Sequence, residues 1–308
     1  MDKKNITTYS LKDRKSKVSI EDFSRPFNKG EGFKEFLATL PDILGSKNLK
    51  EIVSAIALAH RSKRMILFGM GAHVMKVGLS PIIIDLMERG IIGGIALNGA
   101  GIVHDFEVAY AGCTSEDVDE AIDDGRFGMA EETGQMINEA IVEGVKKGWG
   151  IGRSIGEKML EVGLPHNRFS IIAAGVRIGI PITVHVAIGT DIFHYHPAVD
   201  GGALGEGGLT DFRIFSKMVA SLDGGVYMNI GSAVVLPEVF LKALTLARNM
   251  GNRVDQLTTV NMDFIQHYRP LTNVVRRPVR KGGKGYSLTG HHEIMIPLLS
   301  AALIEELG

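Results

Sequence analysis

The chain has 308 residues, 45% of them hydrophobic and 22% charged, with a net charge of −1. That length supports one large α/β core, and near-neutrality offers no electrostatic footprint for nucleic acid or an anionic membrane. Its single cysteine, Cys113, excludes an internal disulfide framework and fits a reducing cytoplasm; as a small apolar residue it is expected to be buried. The polar N-terminus lacks the apolar core of a signal peptide, and no stretch reaches the ~18 uncharged apolar residues of a membrane span.

Residues 1–30 read as a charged arm that packs on the body or on a neighbouring subunit, and residues 31–308 as a single domain. Residues 32–44 predict a first helix with Phe33, Phe36 and Leu40 on one side. Residues 49–62 predict a second, burying Ile52, Ala55, Ile56 and Ala59. The apolar run 65–68 ends at Gly69-Met70-Gly71 and predicts a strand buried on both faces. Residues 74–89 have helical spacing, with Pro81 either kinking the helix or opening a new first turn, and Gly90 suits a helix stop. Residues 91–97 predict the next strand, closed by the turn Asn98-Gly99-Ala100-Gly101, with His104 and Asp105 at a pocket rim. This is one right-handed βαβ unit.

Further along, residues 113–126 are acidic and predict a solvated helix or loop; their spacing is not that of an EF-hand. Helices are predicted at 129–147, 154–162 and 169–177, and a strand at 182–188. Residues 201–208, rich in glycine, predict a loop before a helix at 209–222. A strand at 225–230 closes at Gly231-Ser232-Ala233, and a helix at 236–250 starts near Pro237. A strand at 256–261, a basic irregular segment and a terminal helix at 296–307 complete the chain. The alternation predicts an α/β fold: a Rossmann-like, doubly wound, mainly parallel sheet.

Four turns would then share one sheet edge: Gly69 to His73, with Gly71 and Ala72 between; Asn98 to Gly101; Gly189-Thr190-Asp191; and Gly231 to Ala233. Glycine lets a backbone approach a flat or phosphorylated ligand. The first turn reads GMGAH, so the GxGxxG dinucleotide fingerprint is absent. A second set, His185, Asp191, His194 and His196, could bind zinc or iron, line a polar rim, or move protons. A third is the glycine-interleaved basic segment, with Arg276, Arg277, Arg280, Lys281 and Lys284 before His291-His292-Glu293, which suits a mobile loop over an anionic ligand.

The stretch GMGAHVMKVGLSPIIIDLMERGIIGGIALNGAGIVHDFE resembles the core of deoxyhypusine synthases, with a glycine turn, helix, strand and second turn in that family's order. The resemblance continues through GIPITVHVAIGTD, GGVYMNIGSAVVLPEVFLKAL, LTTVNMD and EIMIPLLSAALIEEL. It implies a cytoplasmic homotetramer that binds NAD through the four turns, His104, Asp191, His291 and His292. His104 takes the position of a family glutamate, and His194 and Glu238 take those of two acidic polyamine-binding residues. Anchored on Pro297-Leu298-Leu299, Pro278 stands where the family has its imine-forming lysine; Lys281 or Lys284, in Gly283-Lys284, can take that place with a gap. The implied activity is NAD-dependent transfer at a C–N bond of an amine or polyamine, of the aminobutyl type, on an acceptor other than the usual translation-factor lysine. Two alternatives stand beside it: a metal-dependent lyase or hydrolase using His185, Asp191, His194 and His196, and a non-catalytic cofactor-binding homologue.

Overall fold

A computed structural model describes residues 3–308; residues 1 and 2 of the expected arm lie outside it. Six strands carry the fold: β1 (Ile66–Met70), β2 (Gly94–Asn98), β3 (Ile182–His185), β4 (Val226–Ile230), β5 (Thr258–Asp263) and β6 (Lys284–Thr289). All neighbours pair in parallel, in the order β3-β2-β1-β4-β5-β6. The chain winds outward from β1 to β3, returns to place β4 beside β1, and winds outward again to β6. The predicted doubly wound sheet is therefore present.

Strands β1 to β5 bury both faces; on β1 the apolar residues run without a break, while on β4 and β5 the buried Asn229, Thr259 and Asn261 are hydrogen-bonded. On β1, Ile66, Phe68 and Met70 enter the larger core while Leu67 turns to the smaller one. Helices α1 (Phe33–Thr39) and α2 (Leu44–Arg61) precede β1; the short α3 (His73–Lys76) and α4 (Ser80–Glu88) follow it. Of the two readings at Pro81, the new first turn is the one found: Gly78 is left-handed at φ +76°, and Pro81 sits in the first turn of α4. Next come α5 (Gly99–Ala111), α6 (Val118–Ala121), α7 (Glu131–Val145), α8 (Ile151–Val162) and α9 (Ile171–Ile178). The smaller face is covered by α10 (Gly201–Ala220) and α11 (Val235–Asn249), where Tyr227 stacks on Phe240 at 3.8 Å between ring centroids. A short turn, α12 (Tyr268–Pro270), runs into a π-helical turn at Leu271–Arg276, and α13 (His292–Leu307) ends the chain.

Four expectations are corrected. The glycine-rich 201–208 is the start of α10: Asp200 accepts the Ala203 N–H at 2.9 Å as an N-cap, and Leu204 and Gly207 are buried. The turn after β2 is the first turn of α5, capped by Asn98, whose Oδ1 accepts the Gly101 N–H at 3.0 Å. The basic segment contains β6, an edge strand whose outward residues are polar, which disguised it. Cys113 is exposed, one residue past the left-handed Gly112 that stops α5.

Asp211 of α10 ties the β3 end together. Its Oδ2 accepts N–H groups from Gly152 of α8 at 3.0 Å and from Val184 of β3 at 2.8 Å. Burial pushes its carboxyl up from 3.8 to about 7, against the pull of those N–H groups. The folded pKa exceeds the unfolded one, so this contribution to stability is complete below about pH 4 and is lost as pH rises through about 7. Asp211→Asn, neutral throughout, should therefore lose less stability than the wild type between about pH 5 and about pH 8, as read from urea midpoints at the two values. An unchanged pH slope would show that Asp211 is not a source of it.

Candidate functional site

Because every strand is parallel, all six carboxyl ends share one edge, and the order reverses between β1 and β4. Ligands of open α/β sheets bind at such a reversal. Here the two chain segments meet backbone to backbone. The Gly71 N–H donates to Ile230 O at 2.9 Å, and a Cβ on Gly71 would lie 2.2 Å from Gly231 O. Gly231 is left-handed at φ +64°, with the His292 ring 2.8 Å from where its Cβ would stand. Ala72 and His73 continue from Gly71 into α3; Ser232 is buried and receives the Leu236 N–H at 3.2 Å, with Ala233 next to it.

A buried chain of amides holds these loops, and no residue of it stood out in the sequence. Asn229 donates to Ser232 O at 2.8 Å and to Asn261 Oδ1 at 2.7 Å; Asn261 donates to Gln266 at 2.8 Å; Gln266 donates to Leu288 O at 3.0 Å. The ends of β4, β5 and β6 are thereby tied. The available signal was an asparagine at the same place in two neighbouring strands, VYMNI and TTVNMD. Above this chain the aromatic rings cluster. His73 lies 5.4 Å from His292 and 6.1 Å from Phe264, and Phe264 stacks with His291 at 6.2 Å and 4° between planes. His292 donates from Nε2 to Met262 O at 3.2 Å, which leaves its Nδ1 buried without a partner; burial holds its pKa down. The structure thus brings together Gly71, His73, Gly231, Ser232, His291 and His292.

One strand over, a cavity of about 220 Å³ opens among α3, α5 and the acidic segment, lined by Lys76, Ala100, His104, Glu107, Glu116 and Asp191. Thr114 donates its hydroxyl hydrogen to Glu107 at 2.5 Å, so it accepts from His104 Nδ1 at 2.7 Å. That arrangement puts the imidazole proton on Nδ1 and leaves Nε2 with a free lone pair. Thr133 also donates to Glu107, at 3.3 Å. Burial, then the nearby Lys76, lowers the His104 pKa to about 4, so the ring is neutral at pH 7. His104 was expected at a rim; Glu107, Thr114 and Lys76 were not singled out. Asp105, expected beside His104, faces away: it is 1% exposed, and its carboxylate accepts from Ser170 and from the Ile171 and Ile172 N–H groups at the start of α9.

Asp191 sits on the start of α5, where a Cβ on Gly99 would meet its Oδ2 at 2.0 Å. It accepts the Ala100 N–H, and burial raises its pKa to about 6. His194 lies behind it. Nδ1 accepts the Gly189 and Asp191 N–H groups at 3.2 Å each, and Nε2, buried and unpartnered, is 3.9 Å from Asp191. The alternative metal set does not assemble. His185 is a core residue, bonded to Thr183 at 3.1 Å and edge-on to Phe215, and His196 packs on Gly134. Among the described residues, no group of three or more His, Cys, Asp or Glu side chains is placed to hold a metal.

The two lysines are also separated from this edge. Lys284 is the first residue of β6, pairs with the first residue of β5, and donates its backbone N–H to Leu257 O. It stands at the amino edge of the sheet, a strand length or about 17 Å from the carboxyl ends, and Lys281 precedes it there. Within one chain neither reaches the cavity. Glu238 lies at the start of α11 near the carboxyl edge, engaged by Lys242, by Asn273 at 2.7 Å and by Arg269 at 3.7 Å.

No family model and no curated protein matches the chain. Solved structures do. A LOR/SDH protein of Methanococcus maripaludis S2 superposes with a TM-score of 0.56 at 14% identity, over 86% of this chain and 71% of that one. AgrE, solved with ornithine and NAD+, gives 0.56 at 14% identity over 86% of this chain, which spans only 34% of AgrE. A chain described as a deoxyhypusine synthase of Entamoeba histolytica gives 0.54 at 12% identity, over 92% and 96% of the two chains. The chain therefore has the fold of deoxyhypusine synthase-like proteins.

Gly71→Ala tests the backbone contact at the reversal point. Its methyl group meets a carbonyl that cannot rotate away, so the variant should lose about 3 kcal/mol of stability, the scale of an overpacked core, in chemical denaturation. Full retention of stability would mean that the two loops part freely.

Proposed function

We propose that the protein is an NAD-linked enzyme acting at the C–N bond of a small amine or polyamine, with transfer of an aminobutyl-type group as the full reaction, in a cytoplasmic homotetramer. The observation that carries this reading is the cavity at the carboxyl edge, where three carboxylates and a neutral imidazole of fixed tautomer stand one strand from the fold's reversal point. The shared fold supports it, as does the ornithine and NAD+ held by AgrE.

The residues at the reversal point fit a dinucleotide. Gly71 and Gly231 leave the backbone bare, His292 Nδ1 is buried without a partner, and Phe264 and His291 present stacked, exposed rings. Gly71, Ala72, His73, Gly231, Ser232, Ala233, His291 and His292 would hold it, with Asn98, Gly99, Ala100 and Gly101 forming the adjoining wall. Bound there, NAD supplies a hydride acceptor for the carbon that bears the amine.

The chain's own groups do the rest. Glu107 and Glu116 attract the substrate ammonium and fix its position. His104 accepts a proton from the nitrogen at Nε2 as the C–N bond gains double-bond character. With a pKa near 4, the resulting imidazolium is a strong acid and returns that proton readily to the leaving or entering amine. Thr114 and Glu107 keep the ring in the tautomer that makes this possible. No step draws on Lys281 or Lys284.

Calorimetry should show NAD binding with micromolar affinity, about −8 kcal/mol. Turnover on a panel including ornithine, putrescine and spermidine should fall by about 10²–10⁴ in His104→Ala and stay within about threefold of the wild type in Lys284→Ala. No NAD binding at millimolar concentration, or full turnover in His104→Ala, overturns the reading.

A further inference from the structure

The cavity at the carboxyl edge is lined by a single lysine, and that lysine has no partner. Lys76, the last residue of α3, is exposed at the lining and forms no ion pair among the described residues. The carboxylates opposite are held by neutral groups. Glu107 accepts the Thr114 and Thr133 hydroxyls, Glu116 accepts the Gly128 N–H at 2.8 Å, and Asp191 accepts the Ala100 N–H. These bonds fix where the acids stand and leave their charge without a cation. Ser115, between Thr114 and Glu116, is left-handed at φ +74°. A residue with a Cβ keeps that conformation only where its surroundings impose it, so the acidic wall has a set shape.

The charges are also sorted in space. Lys76 follows β1, His104 and Glu107 lie on α5 after β2, and Asp191 follows β3. A guest lying across these three strand ends, about two interstrand spacings or roughly 10 Å, meets a cation at one side and carboxylates at the other. A guest that carries only ammonium groups satisfies the acids but sets a like charge beside Lys76. A guest with an ammonium at one end and a carboxylate at the other satisfies both through charge-assisted hydrogen bonds. Specificity is the difference between those two cases. The volume of about 220 Å³ lies below the usual range of drug-sized sites, which suits a short guest.

We propose that Lys76 selects a zwitterion: the cavity takes an α,ω-diamino acid, with its carboxylate on the Lys76 ammonium and its far ammonium on Glu107 and Asp191, in preference to the diamine that lacks the carboxylate. This rests on the reading of the cavity as the amine site and narrows its substrate class. Ornithine and putrescine differ by that carboxylate alone, so they serve as probes. Calorimetry on the full-length protein without NAD, near neutral pH, should give ornithine about tenfold tighter binding than putrescine, the scale of a hydrogen bond to a charged group. Lys76→Gln should erase the preference, and Lys76→Glu should reverse it; Lys76 is exposed, so both variants keep the fold. Glu107→Gln should weaken both ligands, which locates them in this cavity. Putrescine binding as tightly as ornithine, a preference unchanged in Lys76→Glu, or no binding of either at millimolar concentration would each overturn the proposal. A Lys76-dependent preference without turnover would refute the NAD-linked chemistry alone, and turnover without the preference would refute the role of Lys76 alone.

Discussion

The touching of Gly71 and Gly231 is the constraint on which the rest depends. A doubly wound sheet must cross over once, and here the crossing is closed by main chain against main chain, with no side chain between. That closure sets the spacing of β1 and β4, and the amide chain from Asn229 through Asn261 to Gln266 carries the same spacing outward to β6. Hydrogen-bonded amides in a low-dielectric interior are costly to break once satisfied, so the loops after three strands move together or not at all. The His73, Phe264, His291 and His292 rings rest on that platform, and their mutual geometry is a property of the strands beneath them.

A second pattern is the use of aspartates on helix starts. Asp105 caps α9, Asp191 lies on α5, Asp200 caps α10 and Asp211 lies on α8. When ionised, each supplies the negative charge that the start of a helix favours, although burial keeps Asp211 partly protonated near neutral pH. All four helices meet the sheet at its β2–β3 side, so the carboxylates also act as brackets between layers. At α5 this has a chemical outcome: the helix start faces the cavity already occupied by the chain's own anion, which favours a cationic guest over a phosphate.

What could be read from the sequence was the sheet. Apolar runs ending in glycine located four of the six strands, the strand at 256–261 was placed without such a stop, and the spacing of Ile52, Ile56 and Ala59 located α2. What could not be read was direction and capping. Lys284 looked suitable because Gly283-Lys284 is a loop-like pair, but β6 was hidden by its polar outer face, and without the strand there was no way to know that Lys284 opens it. Gly99-Ala100-Gly101 looked like a turn because glycine disfavours helix, yet Asn98 was the cap that overrode it. The relay from His104 through Thr114 to Glu107 spans a helix end and an irregular segment, and no local pattern links the two.

Asp211 has one more consequence. The Val184 N–H is an outward group of the sheet's first edge, and the adjoining Ile182 carbonyl is crowded by the α8 backbone at Gly152, where a Cβ would come within 2.1 Å. An incoming strand finds neither donor nor acceptor free at these positions. Edge-to-edge polymerisation, the standing hazard of an open sheet, is blocked at that side by a single carboxylate and a helix end.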